Sequence, residues 1–307
     1  MSDVRHLLEL SAEESKRFVD SFDTVLVDCD GVLWTVYDTI AGADTALELF
    51  REHAKTVKFI TNNSVRPFAS YRQQLLALGH EVDEQDIVHP ARSVVRYLRE
   101  RQFDGLIYCL GTESFKVCLR EAGYNLLDGP SQPLPESFRQ IIATVHDQAP
   151  VRAVVVDVDF NLNYPKLLRA EQYLKQSADC LLLVGASDRT LHVRDGCTIL
   201  GPGCFVEMLE RATGRRAVVL GKPGYHLRGS VVEEYSLVEP ARTLLIGDML
   251  EQDMAFGSLC GFQKLLVLSG GTAKEHLATA QNTLEQPDYY ADSLADFIAL
   301  FEKINDP

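Results

Sequence analysis

Short apolar runs alternate with amphipathic stretches along most of the chain, and this alternation predicts an α/β fold. The first apolar run is Thr24 to Asp28 and the next is Thr56 to Thr61, with a helical pattern at 43–53 between them. A strand, a helix and a second strand at this spacing form a βαβ unit, whose strands are parallel. The sequence therefore predicts a parallel sheet near the N-terminus.

The same alternation continues toward the C-terminus. Further strands are predicted at 106–110, 153–158, 181–184, 217–220, 243–247 and 264–268, and helices at 11–22, 67–78, 90–101, 113–121, 164–177 and 204–211. The first helix opens with Ser11 and Glu14, which have the spacing of a capping box. Prolines at 67 and 90 are predicted to lie in the first turns of their helices. The turn-rich segment 128–135 is predicted to be a loop.

Length and composition favour a large, well-packed protein. A chain of 307 residues suits two domains, and 46% hydrophobic with 24% charged residues is typical of soluble domains. The formal charge of −14 repels nucleic-acid phosphates and anionic lipids, so we expect neither a nucleic-acid partner nor a membrane. Seven scattered cysteines are expected to be reduced thiols, and no stretch resembles a secretory signal, so we expect a cytoplasmic protein.

Two neighbouring motifs place polar groups after the first two strands. Asp28 ends the first strand and Asp30 follows it, while Thr61-Asn62-Asn63-Ser64 ends the second. Ligands of open parallel sheets bind at the carboxyl ends of the strands. One aspartate of such a pair can stay ionised while the other holds a proton. The hydroxyl and amide groups of the second motif can donate hydrogen bonds to phosphate oxygens.

The second half of the chain adds a lysine and another acid pair. Lys222 follows the strand at 217–220, and Asp248 follows the strand at 243–247, with Asp253 in the first turn of a predicted helix. A lysine there can neutralise a phosphoryl group and an aspartate together. Carboxylate oxygens suit Mg²⁺, which takes few carboxylates plus a substrate phosphate.

Each motif also has a simpler explanation. Acids after a strand can cap a helix or face water, Thr, Asn and Ser are common in turns, a lysine in a turn usually lies at the surface, and Asp253 can favour a helix dipole. Other binding loops do not match: Leu33 and Thr39 replace the EF-hand glycine and acid, and Arg216 and Pro223 break a Walker A pattern. Four such motifs at four strand ends nevertheless indicate a single site.

Two features of the middle region are not expected to belong to a functional site. Gly201-Pro202-Gly203 lacks the last glycine of a dinucleotide motif, where Val206 stands, and no strand is predicted before it, so it is expected to open a helix. His192 is expected to face solvent.

Taken together, Asp28-Cys-Asp30-Gly-Val-Leu-Trp, Thr61-Asn-Asn-Ser, Gly-Lys222-Pro and Gly-Asp248 with Asp253 resemble the motifs of haloacid dehalogenase superfamily phosphatases, in the branch of the para-nitrophenyl, phosphoglycolate and pyridoxal phosphatases. The likeness covers nearly the whole chain. It implies a doubly wound parallel-sheet core made of 1–102 and 214–307, with an α/β cap, 103–213, inserted over the site. Related caps pair, so a homodimer through the cap is expected.

The resemblance also implies roles for individual residues. Asp28 attacks phosphorus and forms an aspartyl-phosphate, while Asp30 protonates the leaving oxygen and later activates water. Thr61 and Lys222 hold the phosphoryl oxygens. Mg²⁺ is expected between Asp28, Asp248 and the Asp30 carbonyl. Asp253 would support this site or orient Lys222, and Gly31, Asn62 and Asn63 would complete the phosphate cradle.

The cap departs from its relatives, which leaves the substrate open. Relatives carry a stretch resembling A-T-N-x-D, where this chain has Val184-Gly-Ala-Ser-Asp-Arg189. The expected substrate is a small phosphorylated metabolite, with phosphoglycolate, pyridoxal phosphate and aryl phosphates as candidates. Two other functions are considered: a catalytically idle binding protein, which would be free to lose Asp28 or Asp248, and a phosphotransferase to an acceptor other than water, which sequence does not separate from a hydrolase.

Overall fold

The computed structural model describes residues 4–36, 38–194, 197–279 and 282–305. The described strands are β1 Arg5–His6, β2 Thr24–Asp28, β3 Thr56–Ile60, β4 Ile87–Val88, β5 Leu106–Leu110, β6 Leu126–Leu127, β7 Val151–Val156, β8 Leu181–Val184, β9 Thr190–Arg194, β10 Cys197–Leu200, β11 Val218–Val219, β12 Thr243–Gly247, β13 Gln263–Val267 and β14 Tyr289–Ala291. The described α-helices are α1 Ala12–Asp20, α2 Ala43–Glu52, α3 Phe68–Ala77, α4 Pro90–Glu100, α5 Glu113–Glu121, α6 Phe138–Val145, α7 Tyr164–Gln176, α8 Pro202–Thr213, α9 Tyr225–Glu234, α10 Ala255–Cys260, α11 Lys274–Thr279 and α12 Asp296–Asn305. None of these helices is both long and apolar enough to cross a bilayer.

The first sheet has seven parallel strands in the order β1-β14-β13-β12-β2-β3-β4. Successive residues of a strand point to opposite faces. Val25 and Val27 therefore pack with residues of α1, α2 and α12, whereas Leu26 packs with residues of α9 and α10. Helices cover both faces, so the predicted doubly wound α/β fold is confirmed. Because β2, β3 and β12 are parallel neighbours, the loops after them meet at one edge of the sheet.

A second sheet of five parallel strands has the order β11-β8-β7-β5-β6. Ile107 and Cys109 of β5 pack in a cluster with α4 and α5, while Tyr108 and Leu110 pack with α7 and α8. Both α4 and β11 lie outside the predicted cap limits of 103–213. We propose that the inserted cap runs from α4 to β11.

Local signals decide several element ends. The Ser11 hydroxyl accepts the Glu14 N–H and the Glu14 carboxylate accepts the Ser11 N–H, so the predicted capping box opens α1. Pro90 is in the first turn of α4, but Pro67 precedes α3 as its N-cap.

The hairpin of β9 and β10 was not predicted. The expectation that no strand precedes Gly201 is wrong, because β10 ends at Leu200. Three of the four β10 residues are exposed, so the strand lacks the alternation of buried and exposed positions that marks a half-buried strand.

Candidate active site

A buried lysine joins two of the predicted aspartates. Asp28 ends β2, and Lys222, only 2% exposed, follows shortly after β11. The Lys222 Nζ lies 2.8 Å from Asp28 Oδ1 and 2.5 Å from Asp253 Oδ1. Burial opposes the charge on Lys222, but Asp253 and Asp28 outweigh it and raise the lysine pKa. Lys222 is therefore a cation fixed between two carboxylates.

Asp253 reaches this position through an unusual turn. Residues Leu250–Met254 form a π-helical turn, and such turns are frequent at functional sites. It points the Asp253 side chain back at the end of β12, where Oδ2 accepts the N–H groups of Asp248 and Met249 at 3.2 and 3.0 Å. Both oxygens of Asp253 thus have protein partners.

Asp248 is packed between two glycine backbones. Its Oδ2 accepts the Gly271 N–H at 2.6 Å. A Cβ atom on Gly31 would lie 2.4 Å from this oxygen and one on Gly270 only 2.1 Å, and Gly31 also has φ +84°. Only glycine satisfies both demands at position 31. Gly31 therefore acts here by letting Asp248 approach β2.

The carboxylate group suits a divalent cation. Oxygen atoms of Asp28, Asp248 and Asp253 lie within 4.8 Å of one another. When all three carboxylates are ionised, they exceed the single ammonium of Lys222 by two negative charges. Burial, and then Asp253, raise the pKa of Asp248 to about 7. Burial also raises the pKa of Asp28, although Lys222 opposes this. The carboxylates of Asp28 and Asp248 offer hard oxygen ligands to a metal, because both oxygens of Asp253 already have protein partners.

Asp30 is held at the side of this cluster. Asn63 Nδ2 donates to its Oδ2 at 3.2 Å, and Arg66 Nη2 lies 3.7 Å from its Oδ1. Burial raises the pKa of Asp30, while Arg66 opposes the shift. The Asp30 side chain is 30% exposed, so it remains open to a reactant.

The Thr61 motif is partly occupied by internal bonds. Thr61 is buried, and its Oγ1 accepts the Asn63 N–H at 3.0 Å. Asn62 Oδ1 accepts the Lys222 N–H at 2.8 Å, and its Nδ2 donates to the Lys222 carbonyl at 3.1 Å and to Asp188 Oδ2 at 3.0 Å. The Asn62 side chain therefore fixes the Lys222 backbone.

Sequence reasoning missed the contacts from the cap. The Asp157 carboxylate contacts the Ser64 hydroxyl and accepts the Ala186 N–H at 3.0 Å. His192 is exposed, as expected, yet a Cβ on Gly271 would lie 3.1 Å from its Nδ1. The cap thus touches both the Thr61 loop and the glycine loop beside Asp248.

Comparison with known proteins gives the family. The model of the haloacid dehalogenase-like hydrolases matches residues 25–125, and an HAD-hydrolase-like model matches residues 219–297. The glycerol-3-phosphate phosphatase of Gallus gallus is 34% identical over 306 residues, which cover 97% of this chain and 98% of that protein. The chain belongs to the haloacid dehalogenase-like hydrolases. The family predicted from the motifs is confirmed.

A second relative agrees with this family, and a solved structure agrees with the fold. Phosphoglycolate phosphatase 2 of Arabidopsis thaliana is 33% identical, with 95% of this chain and 98% of that protein covered. The crystal structure of a Mycobacterium tuberculosis glycerol phosphate phosphatase in complex with magnesium shares the fold, with a TM-score of 0.70, 24% identity, and coverage of 90% of this chain and 76% of that one.

Asp157 gives this hydrolase a testable pH dependence. Burial raises its pKa to about 7, despite hydrogen bonds from Ser64 and two backbone amides. The folded protein therefore keeps a proton that the unfolded chain loses near pH 4. The stability from this carboxyl is present at acid pH and is lost as pH rises through about 7. Between pH 5 and 8, the unfolding free energy of wild type should fall by about 2–3 kcal/mol relative to Asp157→Asn.

Urea denaturation of both proteins at the two pH values measures this change. Comparing the two cancels the contributions of Asp28 and Asp248, which are common to both. A difference in unfolding free energy that stays constant with pH would contradict the prediction.

Proposed function

We propose that this chain is a magnesium-dependent phosphatase that hydrolyses small phosphomonoesters. The observation that carries the proposal is the buried group of Asp28, Lys222 and Asp248. In this group the single ammonium of Lys222 lies among several carboxylates. Its relatives are named for glycerol 3-phosphate and phosphoglycolate, and the mycobacterial structure holds magnesium. An aryl phosphate is a convenient test substrate because its leaving group absorbs light.

Asp28 is the proposed nucleophile. Lys222 fixes its Oδ1, which leaves Oδ2 to attack phosphorus and form an aspartyl-phosphate. The positive charge of Lys222 reduces the repulsion between the Asp28 carboxylate and the phosphate dianion that it attacks. Mg²⁺, when bound by Asp28, Asp248 and the Asp30 carbonyl, supplies further charge neutralisation. Asp253 has the indirect role of holding Lys222 and the backbone after β12.

Asp30 is the proposed general acid and base. It donates a proton to the leaving oxygen and then takes one from the water that attacks the aspartyl-phosphate. Asn63 and Arg66 hold the Asp30 carboxylate in place for both steps. The Thr61 hydroxyl and the backbone N–H of Asn62 complete the proposed phosphate cradle. The N–H groups of Gly31 and Asn63, also expected there, donate within the protein, to the Trp34 carbonyl at 2.7 Å and to Thr61 Oγ1 at 3.0 Å.

The remaining assignments are also proposals. We propose a cytoplasmic enzyme that forms a homodimer through the cap. Phe138 and Ile142 on α6, 88% and 56% exposed, support a partner surface there. A complete set of acids and lysine favours an enzyme over an idle binding protein. Measuring phosphate release against transfer to an added alcohol separates hydrolysis from phosphotransfer.

Metal binding can be tested without activity. Mg²⁺ should stabilise the wild-type protein by about 3 kcal/mol at about 100 times its Kd, seen as a higher unfolding temperature. Asp248→Asn should lose most of this gain and most of its Mg²⁺-dependent hydrolysis of para-nitrophenyl phosphate. Asp23→Asn is the control, because Asp23 is paired with Arg242 at the surface and belongs to neither of the two groups of described residues that could hold a metal ion. Equal stabilisation of the Asp248 variant and wild type would contradict the proposed metal site.

A further inference from the structure

One cap carboxylate, Asp188, reaches the proposed phosphate site. It follows β8, and its Oδ2 accepts the Asn62 Nδ2 at 3.0 Å. Asn62 in turn holds the backbone of Lys222 through both its N–H and its carbonyl. The Asp188 side chain is partly exposed, so one face of it remains open to a bound molecule.

The position of Asp188 is fixed by tight backbone packing. A Cβ on Gly201 would lie 2.1 Å from the Asp188 carbonyl, and one on Gly203 would lie 2.3 Å from the Ser187 carbonyl. The Gly203 N–H donates to the Asp188 carbonyl at 2.9 Å. The start of α8 therefore holds Asp188 against the Thr61 loop.

Asp188 is a negative group in a site that is already acidic. Burial raises its pKa to about 6, with Lys222 opposing and Asp253 adding to the rise. It is thus mostly ionised at neutral pH. It lies on the cap, and its bond to Asn62 places it against the loop that is proposed to hold the phosphate.

Three described cations around the site already have partners, among them Arg189, the residue after Asp188, whose Nε donates to Glu207 at 2.7 Å. Lys222 is bound by Asp28 and Asp253. Arg66 gives Nη1 to Gln74 at 2.9 Å and Nη2 to the Val36 carbonyl at 3.3 Å. A carboxylate on the substrate would therefore meet Asp188 without a free cation among these three.

We propose that Asp188 determines specificity, by favouring phosphomonoesters whose alcohol part carries hydroxyl or ammonium groups over those that carry a carboxylate. This inference rests on the proposed phosphatase function. A hydroxyl or ammonium can donate a hydrogen bond to Asp188, whereas a carboxylate is repelled by it.

Two substrates of nearly equal shape test the proposal. Glycerol 3-phosphate and 3-phosphoglycerate differ only by a CH₂OH or a carboxylate, and para-nitrophenyl phosphate, which has neither, serves as the reference. Wild type should have the higher kcat/KM for glycerol 3-phosphate, and Asp188→Asn should reduce this preference about tenfold. Asparagine keeps an oxygen acceptor for Asn62, and dividing each kcat/KM by the value for para-nitrophenyl phosphate in the same protein removes any general change in rate.

Asp104→Asn is the matched control. Asp104 is an exposed cap residue beside the start of β5 and is paired with Arg152. Its substitution by asparagine therefore removes one negative charge at the opposite end of the same sheet. It should leave the preference unchanged. Asp188→Ser is a second neutral variant in case the asparagine protein does not fold.

The outcomes are distinct. Failure of wild type to hydrolyse para-nitrophenyl phosphate would overturn the proposed function itself. Hydrolysis of that ester, together with an unchanged preference in both Asp188 variants or a wild-type preference for 3-phosphoglycerate, would overturn only the role of Asp188.

Discussion

Asp28→Asn should lower phosphate release from para-nitrophenyl phosphate by at least about 10³-fold at saturating Mg²⁺. The amide oxygen is not a nucleophile, and the substitution also removes one proposed metal ligand. Asparagine has nearly the same shape as aspartate, and its oxygen can still accept a hydrogen bond from Lys222. The loss would therefore report on chemistry and not on packing.

The measurement is the release of para-nitrophenol and phosphate by the purified variant. Asp23→Asn is a suitable control, because Asp23 lies just before the same strand, β2, at its opposite end and is paired with Arg242 at the surface. That variant should keep the wild-type rate. Without Mg²⁺, the Asp28 variant should unfold no more easily than wild type, since one of three crowded carboxylates is neutral. Equal rates in wild type and Asp28→Asn would end the assignment of the nucleophile.

The sequence contained most of the information that places Asp28. The apolar runs at β2, β3 and β12 identify three strands, and the spacing of β2 and β3 makes them parallel. The register then pairs Asp28 with Ile60 and Ile246 with Val27, so the three loops emerge side by side. Strand periodicity and the rule for parallel sheets are enough to predict that these loops meet.

Contacts between cap and core could not be predicted in the same way. Asp157 and Asp188 are separated from Ser64 and Asn62 by 93 and 126 residues. Their recognition of the Thr61 loop depends on how two sheets are packed together, which no local pattern encodes. The Gly271 N–H that binds Asp248 leaves no signal either, because every residue except proline has this group.

The position of β11 shows a further limit. Its apolar run and the following Lys222 were recognised, and the strand was predicted as part of the core. It pairs with β8 of the five-stranded sheet instead, next to Leu183 and Val184. A short strand does not reveal which of two parallel sheets it joins. Lys222 nevertheless reaches Asp28, because Asn62 of the core binds both the N–H and the carbonyl of Lys222.

Lys222→Met should damage both activity and stability. Methionine fills much of the same volume but leaves Asp28 and Asp253 buried without their cation. Removing one partner of a buried ion pair costs about 3–5 kcal/mol, so urea denaturation at pH 8 with a chelator should show a loss of this size. Phosphate release should fall by at least about 10³-fold, because the charge of the phosphate is no longer offset.

A second buried lysine separates these two effects. Lys166 of the cap is buried and bonded to Asp159 at 2.7 Å, remote from the carboxylates of the site. Lys166→Met should therefore lose stability in the same way and still hydrolyse para-nitrophenyl phosphate. Comparable loss of activity in both variants would mean that the Lys222 result reflects unfolding.

Adding Asp253→Asn to Lys222→Met should restore part of the stability and none of the activity. The double variant has one uncompensated buried charge fewer, so its unfolding free energy should exceed that of Lys222→Met even though another native bond is gone. Alone, Asp253→Asn should be destabilising, because Asp253 also accepts the N–H groups of Asp248 and Met249. Asp253→Asn should thus lower the unfolding free energy when Lys222 is present and raise it when methionine replaces Lys222. Such a reversal indicates direct coupling between the two charges. If the loss of unfolding free energy in the double variant equals the sum of the losses in the two single variants, Lys222 and Asp253 are not energetically coupled.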